Sequence, residues 1–314
     1  MPDLKTLLQL TRFPNVFTAV SNILAAYLLT HEDLSDWAAL SLLVLSSSLL
    51  YLAGMVINDV FDVAQDTEER PQRPIPSGRV SLDFAKKLGF GLLAAGTALG
   101  WGVTALRSTL TPGIVATLLA VSIVLYDGPL KRTPIGPVGM GLCRFLNILL
   151  GLSLASIGPF QWHAMHWLVA GGVGIYITGV TLFARTEAHE ASQRLMLMCG
   201  TIVMLCGIGI LGYFPRWATP DLPAASQPQP MILRNMVWPI MWGLFGFFTV
   251  RRCLPAIVDP SPLLVQFAVK QAIFAIIIFD AAIVLATRAP MPYAVVIVAL
   301  MAPMYVLGRS VYST

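Results

Sequence analysis

The chain has 314 residues, 56% of them hydrophobic and only 11% charged, with a mean hydropathy of +0.75. Soluble globular domains carry about 25% charged residues, so an ordinary soluble domain is excluded; repeated apolar runs long enough to cross a hydrocarbon core of about 30 Å make this an all-α, polytopic helical membrane protein. The net charge of +4 then reads as a topology signal, and no nucleic-acid partner is expected.

The apolar runs predict ten spans, at roughly 11–30, 37–58, 83–105, 111–127, 136–157, 164–184, 193–213, 231–250, 264–286 and 291–308. No cleavable signal peptide is expected, because the first run lacks a small-residue cleavage signature and a second span soon follows. With a cytoplasmic N-terminus and alternating spans, all but Arg107, Arg216, Arg234 and Arg288 of the 20 basic residues fall on the cytoplasmic side. The Pro-rich stretch from Phe214 to Pro230 reads as the longest external loop. His163 and His166 fall on the outer side and read as interfacial. Cys143, Cys199, Cys206 and Cys253 have neither disulfide nor metal-ligand spacing and read as small buried hydrophobes.

The second span runs into Asn58-Asp59-Val60-Phe61-Asp62-Val63-Ala64-Gln65-Asp66 and then Arg70-Pro71-Gln72-Arg73-Pro74-Ile75-Pro76-Ser77-Gly78-Arg79. Positions 59, 62 and 66 are i, i+3 and i+7, so on a helix their carboxylates share a face. Carboxylates that close repel unless a cation neutralises them, and hard oxygen ligands suit Mg²⁺, which commonly completes its shell with water and substrate phosphate. Two further polar stretches lie on the same side: Tyr126 to Arg132, followed by Arg144 and Asn147 inside span five, and Arg185 to Glu190, where Glu187 and Glu190 are again i, i+3. The two acidic clusters stand four spans apart, at matching points of two four-helix units. With the basic residues between them they suit a diphosphate held by Mg²⁺. Arg144, Asn147 and Asp280 lie inside spans, where polar side chains normally face the bundle interior; Lys270 can snorkel to the cytoplasmic end.

Asn-Asp-x-x-Asp-x-x-x-Asp at 58–66, Arg-Pro-Ile-Pro-Ser-Gly at 73–78 and Tyr…Lys-Arg at 126–132 resemble the UbiA superfamily of intramembrane prenyltransferases. Tyr51 to Arg79, with Lys131 to Asn147, is especially similar to its divergent EboC-like branch. The resemblance runs from about residue 10 to about 290. It implies one membrane domain over 1–314, with acidic motifs at 58–79 and 185–190 and a central cavity opening to the cytoplasmic face. The family usually has nine spans and an aspartate-rich second motif; here that place holds Glu187 and Glu190. The implied activity is Mg²⁺-dependent transfer of a prenyl group from a polyprenyl diphosphate to an unidentified lipid-soluble or aromatic acceptor, in a bacterial inner membrane. In that picture Asp59, Asp62 and Asp66 hold one Mg²⁺, supported by Asn58, and Glu187 and Glu190 hold a second. Arg73, Lys131 and Arg132 meet the diphosphate, Lys131 counting as catalytic; Arg79, Tyr126, Arg144 and Asn147 complete the substrate site.

The competing reading is a membrane carrier or binding protein that keeps a lipid-diphosphate pocket without turnover. A phosphatidyltransferase also uses intramembrane aspartates, but its Asp-Gly-rich helix signature is missing; Asp127-Gly128 is a weak echo of it.

Overall fold

Helices start where a side chain can satisfy the open amides of a first turn. Asp3 accepts from the Thr6 amide at 2.9 Å and caps α1 (Leu4–Leu10). Asp36 caps α3 (Trp37–Phe61) through Ala39, and Ser81 caps α5 (Leu82–Arg107) through Phe84. Proline in the first turn, where its missing amide costs nothing, opens α6 (Thr111–Leu125), α7 (Gly136–Gly151), α10 (Trp238–Val258) and α11 (Pro262–Leu285). The other helices are α2 (Phe17–Leu28), entered through a 3-10 turn at Phe13–Val16, α4 (Val63–Glu69), α8 (Ala164–Phe183), α9 (Glu190–Ala218), α12 (Met291–Ala299) and α13 (Met301–Val311).

The computed structural model describes residues 2–155, 162–185, 190–218, 236–287, 289 and 291–311. Among these residues there are no strands, and nine helical stretches are long and apolar enough to cross a membrane. Helices satisfy their own backbone, which hydrocarbon does not. The chain is a multi-pass integral membrane protein.

Nine of the ten expected spans meet the length of a crossing helix; the first, Phe13–Leu28, is the short one, and α12 and α13 together form the last, Met291–Arg309. One boundary moves: the span expected at 231–250 is α10, Trp238–Val258. Arg251 and Arg252 close the apolar window in the sequence, yet the helix continues through them, since arginine stems can lie along apolar surface. Phe214–Ala218, expected in a loop, belongs to α9. Of the cysteines, Cys143 and Cys253 are buried, Cys199 is half-buried and Cys206 is exposed; all four are free. Cys206 therefore departs from the buried reading, because α9 turns it away from the neighbouring helices.

Between apolar helices in hydrocarbon the drive to associate comes from close packing, and small residues permit it. On the α8–α9 contact, a Cβ on Gly200 would lie 2.7 Å from the Phe183 amide nitrogen, and one on Gly207 2.7 Å from that of Tyr176. The α7–α8 contact is as tight: a Cβ on Gly141 would meet the Gly174 carbonyl at 2.5 Å and run into the Thr178 hydroxyl. Gly141→Val is accordingly expected to destabilise the bundle by about 1–3 kcal/mol, the usual cost of overpacking. Gly102, with open space around it, is the control: Gly102→Ala should leave the thermal midpoint in detergent unchanged or slightly raised.

Candidate active site

The acid motif occupies the hand-over from α3 to α4. Asp62 ends the first helix and stands at the start of the second, its carboxylate making no capping bond there. The helical hydrogen bonds nevertheless carry through, with the Asp62 amide donating to the Asn58 carbonyl at 3.0 Å and that of Asp66 to Asp62 at 2.8 Å. The three carboxylates are buried, with Asp59 5%, Asp62 8% and Asp66 2% exposed.

The following loop is folded back over them for apolar reasons. Ile75 and Val80 are buried in a small cluster with Leu10, Val56, Val60 and Ala85. Gly78, at a φ of 74°, closes the turn and donates to the Ile75 carbonyl at 3.0 Å; few side chains tolerate that conformation. Anchored this way, Arg73 reaches back to Asp66 at 2.5 Å and to Asp59 at 3.4 Å. Arg70 stands 3.8 Å from Asp66. Arg12, just before the 3-10 turn, donates to Asp59 at 2.8 Å. Lys131 donates to Asp62. It is delivered by a π-helical turn, Tyr126–Leu130, whose neighbouring carbonyls at Lys131 and Thr133 accept from Arg185. Asn58 donates to buried Asp127 at 2.9 Å, which ties the motif to the same turn.

A cavity lies beneath this cluster, between α2, α3, α6 and α7, with about 700 Å³ of space counting the part open to solvent. Arg12, Asn58, Tyr126 and Asp127 line its motif end; Tyr51, Arg144 and Asn147 line the deeper part. Arg144 is buried and donates to the Thr18 hydroxyl at 2.8 Å and to the Asn22 side-chain oxygen Oδ1 at 3.2 Å, with its guanidinium 5.1 Å from the Tyr51 ring centre. The Asn22 amide donates in turn to Asp280 at 2.8 Å, and the Ser21 hydroxyl to the same oxygen at 2.6 Å. Asn147 accepts from Ser47 at 2.6 Å and donates to the Ala19 carbonyl at 3.3 Å. A buried cation and a buried carboxylate are thus connected through one asparagine, as costly intramembrane charges require.

The structure brings Asp59, Asp62, Asp66, Arg73 and Lys131 together in one charged cluster, and Asn58, Tyr126, Arg144 and Asn147 line the adjoining cavity. Arg79 is elsewhere: exposed, it straps the loop to α1 through Gln9 at 2.8 Å and to the Gln72 carbonyl at 2.7 Å. Arg132 is exposed. Glu187 lies outside the described residues, as does the side chain of Glu190. Three participants were not legible as such. Arg12 looks like a topology signal, and its left-handed backbone, φ 46°, is invisible in sequence. Asp127 and Asn22 are single polar residues in apolar runs.

For a divalent cation the donor chemistry fits, since three buried carboxylates are hard ligands held near one another. Arg73 stands between Asp59 and Asp66, and among the described residues no three acidic, His or Cys side chains converge on one point. The basic partners must turn away before the carboxylates can share an ion.

The UbiA prenyltransferase family model matches residues 19–197. Among curated proteins the chain is similar to the digeranylgeranylglyceryl phosphate synthase of Metallosphaera sedula, 38% identical over 252 residues, which is 79% of this chain and 84% of the relative. That of Ignicoccus hospitalis is 37% identical over 51% of this chain and 49% of the relative. Among solved structures, the fold resembles a UbiA homolog from Archaeoglobus fulgidus bound to GPP and Mg²⁺, with a TM-score of 0.60 at 13% identity, covering 94% of this chain and 99% of that one. A structure described for digeranylgeranylglyceryl phosphate synthase gives a TM-score of 0.59 at 22% identity, covering 91% of this chain and 98% of that one. None of these relatives bears on the EboC-like branch. By its sequence match and its fold, with nine helices among the described residues long and apolar enough to cross a membrane, the chain belongs to the UbiA prenyltransferase family and is a prenyltransferase.

Proposed function

We propose that this protein transfers a prenyl group from a polyprenyl diphosphate to a hydroxyl-bearing lipid acceptor, with Mg²⁺, at the cytoplasmic face of a cell membrane. The whole chain serves as one domain, its N-terminus cytoplasmic and its cavity opening to that face. The relatives named above come from archaea, and nothing in the chain ties it to a bacterial membrane in particular.

One observation carries the reading. Three buried carboxylates, next to a cavity that Arg12 and Asn58 line, are each neutralised by a basic side chain: Arg12, Arg73 and Lys131. A metal-bound diphosphate would exchange these pairs in kind: it would supply cationic charge for Asp59, Asp62 and Asp66 and anionic oxygens for Arg12, Arg73 and Lys131, so no charge would be left uncompensated. Arg73 offers bidentate contact and Lys131 a point charge; Arg132, exposed beside Lys131 in sequence, would join them. Asn58, held by Asp127, keeps the turn that carries Asp59 and Asp62 in place. Glu187 and Glu190 complete the reading as holders of a second ion.

Mg²⁺, when bound, neutralises charge building on the leaving diphosphate. The allylic C–O bond breaks with its electron pair on the diphosphate, the acceptor oxygen bonds to the freed carbon, and the hydroxyl proton passes to the diphosphate or water. Arg73 and Lys131 stabilise the departing charge. The ring of Tyr126 faces the cavity and can steady positive charge on the prenyl group. Arg144 and Asn147 set the polarity of the deeper wall, where the acceptor's polar end would sit. A lipid acceptor is favoured over an aromatic one because the relatives are named for a glyceryl phosphate product.

The test offers purified protein a labelled geranylgeranyl diphosphate with either a prenylated glyceryl phosphate or an aromatic acid. Mass spectrometry is expected to find a prenyl ether of the glyceryl lipid; a product from the aromatic acid alone overturns the acceptor assignment. Glu187→Gln with Glu190→Gln is expected to lower turnover by orders of magnitude, about 10²-fold or more. Unchanged turnover removes the second cluster from the mechanism.

A further inference from the structure

A second recess lies on the other side of the Phe13–Val16 turn, between that turn, α11 and α13, with Arg252 contributed by α10. It shares no lining residue with the catalytic cavity. Phe267, Phe274, Met301 and Tyr305 form its apolar wall, and Phe267 and Tyr305 are about half exposed, at 57% and 50%. Arg252, Lys270 and Arg309 also line it, and no acidic residue does.

Three basic side chains meet at this one groove, and its lining offers them no counter-charge. At the acid motif the basic groups are paired with Asp59, Asp62 and Asp66, and at other ends Lys87 is paired with Asp83 and Arg107 with Asp36. Arg252, Lys270 and Arg309 have no carboxylate within ion-pair distance among the described residues. Arg309 instead lies over the Tyr305 ring, 4.6 Å from its centre. Three like charges around one groove repel, and an anion relieves all three at once. The apolar wall calls for hydrocarbon at the same place, with exposed aromatic faces that water covers poorly. A soluble anion satisfies only the charges, and a neutral lipid only the wall.

We propose that this groove binds an anionic phospholipid, its phosphodiester held by Arg252, Lys270 and Arg309 and one chain lying along Phe267, Phe274 and Met301. Basic pockets between membrane helices recognise anionic headgroups in this way. Arginine supplies forked donors to phosphate oxygens, and Lys270 reaches the headgroup level by snorkelling from within α11. A zwitterionic headgroup brings its own ammonium and meets the same three cations less favourably. The site stands apart from turnover, so it holds or fails independently of the prenyl-transfer reading.

The test is native mass spectrometry of the full chain in detergent, titrated with phosphatidylglycerol or phosphatidylcholine. The wild type is expected to retain phosphatidylglycerol at a concentration about tenfold or more below that needed for phosphatidylcholine. Arg252→Gln/Lys270→Gln/Arg309→Gln is expected to abolish that preference while leaving phosphatidylcholine retention unchanged. Because Arg252 is partly inward, the exposed pair Lys270→Gln/Arg309→Gln serves as a second variant, expected to lose most of the preference with an unchanged thermal midpoint in lipid-free detergent. Equal retention of the two lipids by the wild type, or an undiminished preference in both variants, overturns the proposal. So does displacement of bound phosphatidylglycerol by a prenylated glyceryl phosphate with matching inhibition of transfer, which would assign the groove to the acceptor.

Discussion

Asp62→Asn is expected to lower prenyl transfer by about 10²–10³-fold, the scale of losing one group that meets charge developing in a transition state. Asparagine keeps the shape of the side chain, so α3 and α4 still meet at the same residue, but it carries no charge for a metal ion or for Lys131. Among the described residues Asp62 is the only carboxylate within ion-pair distance of Lys131. The substitution therefore removes a proposed metal ligand and leaves a half-buried ammonium unbalanced in the same step. Release of labelled diphosphate measures the effect, and a thermal midpoint within a few degrees of wild type shows that the fold survives. Arg79→Gln is the contrast. Arg79 is three residues from the end of Arg-Pro-Ile-Pro, yet its bonds go to Gln9, Gln72 and Ser77. Its loss should loosen the loop and cost far less activity than the loss of Asp62.

Asp280→Leu is expected to cost about 3–5 kcal/mol of stability, the usual result of removing one member of a buried charge network. Asp280 is fully buried, and one of its oxygens accepts from both Ser21 and Asn22. Leucine orphans the Asn22 donor, leaves the Ser21 hydroxyl only the Thr18 carbonyl at 3.1 Å, and removes the negative charge that faces Arg144 through Asn22. Replacing Arg144 by Met in the same chain removes the uncompensated charge, so the double variant should recover part of the loss. A drop in the detergent thermal midpoint for Asp280→Leu, partly restored by Arg144→Met, is the expected pattern. Simple additivity of the two single losses would show that the residues act independently.

The legible signal in the sequence is charge that interrupts apolar runs. Asp59, Asp62 and Asp66 stand out because nothing in a membrane span accounts for them, and the structure buries all three beside Arg73 and Lys131. The spans were legible for the same reason, except where arginines sit inside a helix, as at Arg251 and Arg252. What stayed hidden depends on contacts between distant segments. Arg12 meets Asp59 across 47 residues, and a single arginine beside an apolar run has an ordinary topological meaning. Asn22 is one polar residue among apolar ones, and its role as the link between Arg144 and Asp280 exists only once α2, α7 and α11 are packed. Arg79 failed in the opposite direction, since nearness in sequence to the acid motif suggested a ligand where the fold uses a strap.

The central claim is that the acid motif and its basic partners hold a prenyl diphosphate for cleavage and not merely for storage. The direct measurement is a single-turnover experiment with labelled geranylgeranyl diphosphate and acceptor, with and without Mg²⁺, counting released diphosphate against prenylated product. Equal amounts of the two, dependent on Mg²⁺ and lost in Asp62→Asn, are expected. Saturable binding of the diphosphate with no release under any metal or acceptor would contradict the account and leave a carrier in its place.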